Sequence, residues 1–204
     1  HHIRFLYQVY VHLDNPQLEK KALRLDNVYS IQPVEAAVQP GTKPLAPGLR
    51  PIVVGFGPAG IFAAYLLAKH GYKPLIVERG EAVEERHVRI ETFWTGGPLN
   101  PESNVQFGEG GAGTFSDGKL TSRSKDPWAT LVKQVFIDHG APEDIEYSDE
   151  SHIGTDLLRD IIVSIRKQIM AWGGEVYFST KMERLLMDSS GQVTGIRSSR
   201  GDFH

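Results

Sequence analysis

The stretch PIVVGFGPAG, residues 51–60, limits the possible folds more than any other part of the chain. Ile52, Val53 and Val54 are a β-branched run of the kind found in a buried strand, and Gly55, Gly57 and Gly60 follow at once in the spacing GxGxxG. The apolar segment AGIFAAYLLAKH, residues 59–70, then reads as a helix lying on a sheet, with Gly71 placed where a left-handed residue ends it. KPLIVERG, residues 73–80, repeats the buried-strand pattern. Strand, helix and strand within about 30 residues require parallel pairing and a right-handed crossover, the unit of a doubly wound α/β fold.

Each glycine of the loop has its own physical reason. The first allows a tight turn out of the strand, the second lets a phosphate approach the backbone, and the third lets the helix pack closely on the strand. The helix N-terminus then presents free N–H groups and a partial positive charge to an anion. Glu78 ends the second strand 23 positions after Gly55, where a carboxylate accepts hydrogen bonds from the hydroxyls of an unphosphorylated ribose. Together these features predict a dinucleotide site. The fingerprint alone does not separate NAD from FAD.

A second glycine-rich segment, NVQFGEGGAGTFSDGKL at residues 104–120, is too elaborate for an ordinary connection. Its glycines allow close backbone approach to a ligand, and Thr114, Ser116, Asp117 and Lys119 supply polar groups. With GFGPAG, the following Ala63 and Ala64, ERG, WTGGPLNPES and HIGTDLL, this segment resembles a family of bacterial FAD-dependent dehydrogenases, described as NAD(FAD)-utilising, within the glutathione-reductase-type flavoproteins. The resemblance runs from about residue 50 to the end. It implies a Rossmann-like FAD-binding domain behind a small α/β segment, and an FAD-dependent oxidoreductase that uses NAD(P)H as co-substrate on a small-molecule substrate. By the same resemblance Gly55, Gly57, Pro58, Ala59 and Gly60 meet the pyrophosphate, Glu78 the adenosine ribose and Arg79 the adenine side. Gly110, Gly111, Ala112, Gly113 and Thr114 line the flavin end, and Lys181 and Met182 meet adenine through their backbone. Flavoproteins of this type return to FAD through a later strand, and members of the family are far longer, so the resemblance implies an N-terminal fragment.

The expected domains are a small N-terminal segment with a Pro/Gly-rich linker, residues 1–49, and the FAD-binding domain, residues 50–204. Alternation of Ile3, Phe5, Tyr7, Val9, Val11 and Leu13 predicts a strand, and NPQLEKKALRL a short helix. Asp126 and Pro127 are the predicted cap and first residue of a helix, and Thr155 caps another that Gly173 and Gly174 stop. The pieces EVYFST, ERLLMD and QVTGIRSS read as strands, with a turn at 189–191.

A formal charge of −3 argues against nucleic acid as partner, and no apolar run approaches a membrane span, so a soluble cytoplasmic protein is expected. Zero cysteines exclude thiol redox chemistry from this span, leaving electron transfer to a bound cofactor. His12, His70, His87, His139 and His204 lack metal-ligand spacing. Glu109 and Asp117 read as solvated loop carboxylates, the charges of EAVEERHVRIE as a solvated helix face, and Lys119, Arg123 and Lys125 as a solvated or anion-steering patch. An NAD-binding dehydrogenase, a flavoprotein acting on RNA and a non-catalytic dinucleotide-binding module remain as alternatives.

Overall fold

The computed structural model describes residues 7, 9–30, 45, 48–116, 118–120, 126–148 and 152–204. The chain divides into two compact units, His1–Glu35 and Ala36–His204. In the first, helix α1 spans Pro16–Ala22, with Asn15 as its cap: the Asn15 side chain accepts from Gln17 N–H at 2.9 Å and Pro16 opens the helix. The strand expected over residues 3–13 is not found at its described positions, Tyr7 and 9–13, while 1–6 and 8 lie outside the described residues. The alternation fails as a predictor because its apolar face is not buried: Val9 and Val11 are 75% and 70% exposed. Most of the Pro/Gly-rich linker also lies outside the described residues.

The second unit has an α/β fold. Strands β1 (Ile52–Val54), β2 (Leu75–Val77) and β3 (Glu175–Tyr177) form a parallel sheet in that order, with Ile52 opposite Leu75 and Leu75 opposite Glu175. Helix α2 (Pro58–Lys69) joins the first two, and Gly71, at φ +81°, supplies the left-handed residue behind it. Helices α3 (Val83–Trp94), α4 (Pro127–Asp138) and α5 (Thr155–Ala171) follow before β3. Asp126 caps α4 by accepting from Trp128 N–H at 3.0 Å. The cap of α5 is Gly154, not Thr155: the Gly154 carbonyl accepts from Leu158 N–H at 2.9 Å, so Thr155 is already inside the first turn.

The alternation of β2 sets the layers. Ile76 turns to a core built with α2, α4 and α5, whereas Leu75 and Val77 turn to the opposite face. There a second, antiparallel sheet covers them, made of β4 (Met182–Met187), β5 (Val193–Ser198) and β6 (Gly201–Phe203) through Ile196, Met182 and Phe203. With both faces covered, β2 reads as a continuous apolar run. The turn at 189–191 is held by Asp188, whose Oδ1 accepts from Ser190 N–H at 2.8 Å and Gln192 N–H at 3.0 Å.

Helix α5 supplies the largest apolar stripe, with Ile161, Ile165 and Ile169 at successive turns and all at 0% exposure. Truncating Ile165 to Ala removes three buried carbons in a packed layer, a change that typically costs about 2–5 kcal/mol. The expected result is a fall in melting temperature of about 5–20 °C in thermal denaturation.

Candidate functional site

The parallel pairing of β1 with β2 places the first glycine loop at the C-terminal edge of the sheet, where Gly55 N–H donates to Val77 C=O at 2.8 Å. Two of the three glycines are required by the chain's own packing. Gly55 sits at φ +93°, and a β-carbon on Gly60 would lie 1.9 Å from the Gly55 carbonyl oxygen. Gly57 differs. Its φ is −78°, which any residue adopts, and a β-carbon there would meet nothing within 4 Å. It caps α2 without a side-chain bond, ahead of Pro58, and the first-turn N–H groups of Ala59 and Gly60 have no intrahelical acceptor. Pro58 and Ala59 are exposed, so the positive end of the helix opens outward.

Glu78 lies beneath this loop at 5% exposure. Its Oε2 accepts from Phe56 N–H at 2.6 Å and its Oε1 from Gly80 N–H at 2.7 Å. The carboxylate therefore shapes the glycine loop itself. Each oxygen keeps a further lone pair.

The second glycine-rich segment folds onto the first. Gly110 N–H donates to Phe56 C=O at 2.9 Å, and a β-carbon on Gly111 would lie 2.8 Å from Pro58 Cδ. A single 3-10 turn, Ala112–Phe115, follows. Gly110, Gly111 and Thr114 are buried, whereas Ala112 and Gly113 are exposed. The buried Thr114 Oγ1 has no hydrogen-bond partner among the described residues.

The group that anchors this loop is Arg86, which is 0% exposed. Its Nε donates to Asn104 C=O at 2.8 Å, Nη1 to Glu109 C=O at 2.5 Å and Nη2 to Val105 C=O at 3.0 Å. The guanidinium carbon lies 4.7 Å from the centre of the Phe115 ring, and a β-carbon on Gly108 would come within 2.6 Å of Arg86 Cδ. Burial pulls the Arg86 pKa down to about 10, against the pull of Glu78 and Glu109, so the group stays charged at neutral pH. The reading of EAVEERHVRIE as a solvated face is thus corrected at Arg86. Sequence periodicity held one signal: Val83, Arg86 and Ile90 occupy one helical face, and all three are buried.

Glu109 is also corrected, from a solvated carboxylate to one with 0% exposure. Its Oε2 accepts from Val83 N–H at 2.7 Å and Arg166 Nη1 at 2.9 Å, while Oε1 is buried without a partner among the described residues. Burial pushes its pKa up to about 7; the Arg166 guanidinium and the Val83 N–H oppose the rise, and Glu84 and Glu78 add to it. Asp117, Arg123 and Lys125 lie outside the described residues. Lys119 pairs with His152 in an antiparallel bridge.

A cleft of about 360 Å³ opens between Arg79, Glu102, Ser179, Lys181 and Ser199. Glu102 accepts from Lys181 Nζ at 2.9 Å and lies 3.4 Å from Arg79 Nε, so it joins the two cations expected near adenine. The Lys181 N–H donates to Ser199 Oγ at 3.1 Å and its carbonyl accepts from Ser199 N–H at 2.9 Å. The Met182 side chain packs against Leu75 and Val77 under the sheet.

No protein-family model matches the chain. A curated relative from Clostridium beijerinckii, described as an uncharacterized protein, is 55% identical over 130 residues, 64% of this chain and 24% of the relative. The chain thus spans about a quarter of that relative's length. Among solved structures, THI4 of Thermovibrio ammonificans overlaps 74% of this chain and 47% of its own at 18% identity and a TM-score of 0.46. The bacillithiol disulfide reductase Bdr of Staphylococcus aureus overlaps 76% of this chain and 35% of its own at 18% identity and a TM-score of 0.36. Among the described residues no helix is long and apolar enough to cross a membrane.

Replacing Arg86 by Met keeps most of the stem but leaves the carbonyls of Asn104, Val105 and Glu109 without their donor. Breaking a buried charged group's bonds in this way costs about 3–5 kcal/mol. Amide hydrogen exchange in residues 104–111 is expected to accelerate more than exchange in β1 and β2; equal acceleration throughout would contradict the anchoring role.

Proposed function

We propose that this chain carries the dinucleotide-binding part of an FAD-dependent oxidoreductase that acts on a small-molecule substrate, with NAD(P)H as co-substrate. The observation that carries the reading is the space above Gly57. The chain's own packing and backbone do not require glycine there, yet a β-carbon would project into the open approach to the α2 N-terminus. A diphosphate lying on the N–H groups of Ala59 and Gly60 does require that space.

The other residues fit the same ligand. Glu78 offers its remaining lone pairs to the ribose hydroxyls, with Arg79 and the cleft beside it receiving the adenine side and the backbone at Lys181 and Met182 flanking it. The exposed Ala112 and Gly113, with the buried Thr114 hydroxyl that has no hydrogen-bond partner among the described residues, line the flavin end. When bound, FAD supplies the electron or hydride chemistry in its isoalloxazine ring. The protein binds and orients it. The second glycine segment, folded on the first through Gly110 and Phe56, favours FAD over NAD, because a lone GxGxxG loop suffices for NAD.

Gly57→Ala separates the ligand's needs from those of the fold. The variant is expected to keep its thermal stability within about 1 kcal/mol and to lose FAD affinity at least about tenfold, which corresponds to about 1.4 kcal/mol. Flavin absorbance at about 450 nm retained after gel filtration reads the result. Unchanged FAD retention by the variant would remove the pyrophosphate from this loop.

A further inference from the structure

Two buried carboxylates, Glu78 and Glu109, lie with the guanidinium groups of Arg86 and Arg166 beneath the two glycine loops. Glu109 in the second loop faces Arg166 and Glu84, from α5 and α3, and Glu78 at the end of β2. Arg86, from α3, also lies close enough to act on Glu78 and Glu109. Arg166, with its side chain 12% exposed, donates to both Glu109 and Glu84. Glu84 is an exposed member, its side chain 55% accessible, and Lys167 also acts on it, so Glu78 and Glu109 are the buried carboxylates of the group.

Glu109 is the member built to take up a proton. Its Oε2 holds the N-terminal N–H of α3 and the Arg166 guanidinium, while its Oε1 is buried and has no hydrogen-bond partner among the described residues. A buried carboxylate oxygen without a donor is costly as an anion, and a proton on it removes that cost. The next residue, Gly110, donates to Phe56 of the first loop. A ligand with a negatively charged diphosphate on α2 would add further negative charge above this cluster.

We propose that Glu109 is a positioning residue of the dinucleotide site, tying the second glycine loop to α3 and α5, and that binding of the anionic dinucleotide is accompanied by uptake of one proton from solvent at its free oxygen. This inference rests on the FAD reading given above. The step makes one O–H bond at Oε1 and breaks one bond to hydrogen in the hydronium or buffer acid that gives up the proton; the carboxylate becomes a carboxylic acid and the charge of the cluster becomes more positive by one. Oε2 keeps both of its bonds in either state, so the loop stays anchored. Affinity for the anion falls as pH rises through the range in which unliganded Glu109 ionises, near 7.

The test uses FAD titrated into the whole chain by isothermal calorimetry at pH 6.5, 7.5 and 8.5, in buffers of different ionisation enthalpy. The expected result is net uptake of about half a proton near pH 7 and a dissociation constant that rises up to about tenfold across this range. Glu109→Gln mimics the protonated acid, with the amide nitrogen in place of the free oxygen. It is expected to bind FAD with less than about twofold change over the same range and with no proton uptake at this site.

FAD binding without proton uptake, or uptake that persists in Glu109→Gln, overturns the linkage and leaves the FAD reading intact. Absence of FAD binding to the wild-type chain overturns both. A second readout needs no ligand. Because the folded chain holds the Glu109 proton more tightly than the unfolded chain does, this group's contribution to stability is present below about pH 4.5 and is lost as pH rises to about 7. His139, whose pKa burial holds below its ordinary value, acts in the opposite sense and is common to both proteins. The melting temperature of Glu109→Gln minus that of wild type is therefore expected to increase from pH 5 to pH 8. A constant difference overturns the assignment of Glu109 as the proton acceptor.

Discussion

A buried guanidinium organises the part of this protein that carries its candidate chemistry. Residues 95–111 contain no helix or strand, so their backbone groups need partners from elsewhere. Arg86 provides donors for three of those carbonyls from a single planar group, fully withdrawn from solvent. A guanidinium suits this task because its donors are fixed in one plane and it remains charged even after burial lowers its pKa. The close approach at Gly108 follows from the same packing, since the arginine stem occupies the space of a β-carbon there.

The two glycine loops then depend on each other. Phe56 gives its N–H to Glu78 and takes the N–H of Gly110, so one residue of the first loop is held from beneath by a carboxylate and from the side by the second loop. This explains why Glu78 is more deeply buried than a residue with a ligand role alone would need to be. The loops leave the small residues Pro58, Ala59, Ala112 and Gly113 exposed, the first two at the positive end of α2. Such a surface has little side-chain chemistry of its own and is suited to a ligand that brings its own reactive group.

Much of this architecture was legible from local pattern. The βαβ unit followed from two β-branched runs around an apolar helix, and the caps Asn15 and Asp126 from short-range hydrogen-bonding chemistry. Errors arose where burial depended on distant residues. The alternation of residues 3–13 predicted a strand, but at the described positions its side chains remain in solvent. Arg86 and Glu109 were read as surface charges because charged residues are seldom fully buried unless paired, and their partners lie far along the chain. Glu109 meets an arginine 57 positions away, and Arg86 bonds carbonyls 18 to 23 positions away.

The sequence by itself therefore determined the features that arise within a few residues: the parallel crossover unit, the left-handed glycine behind α2, the side-chain caps of α1 and α4 and the position of the first loop at a strand end. Steric limits on φ, side-chain periodicity and capping act over that short range. Tertiary structure decided which charges lost their water, which glycines were fixed by packing and which stood open, and how the second loop came to rest on the first. Those outcomes depend on desolvation and pairing between segments brought together only when the sheet and its helices close on one core.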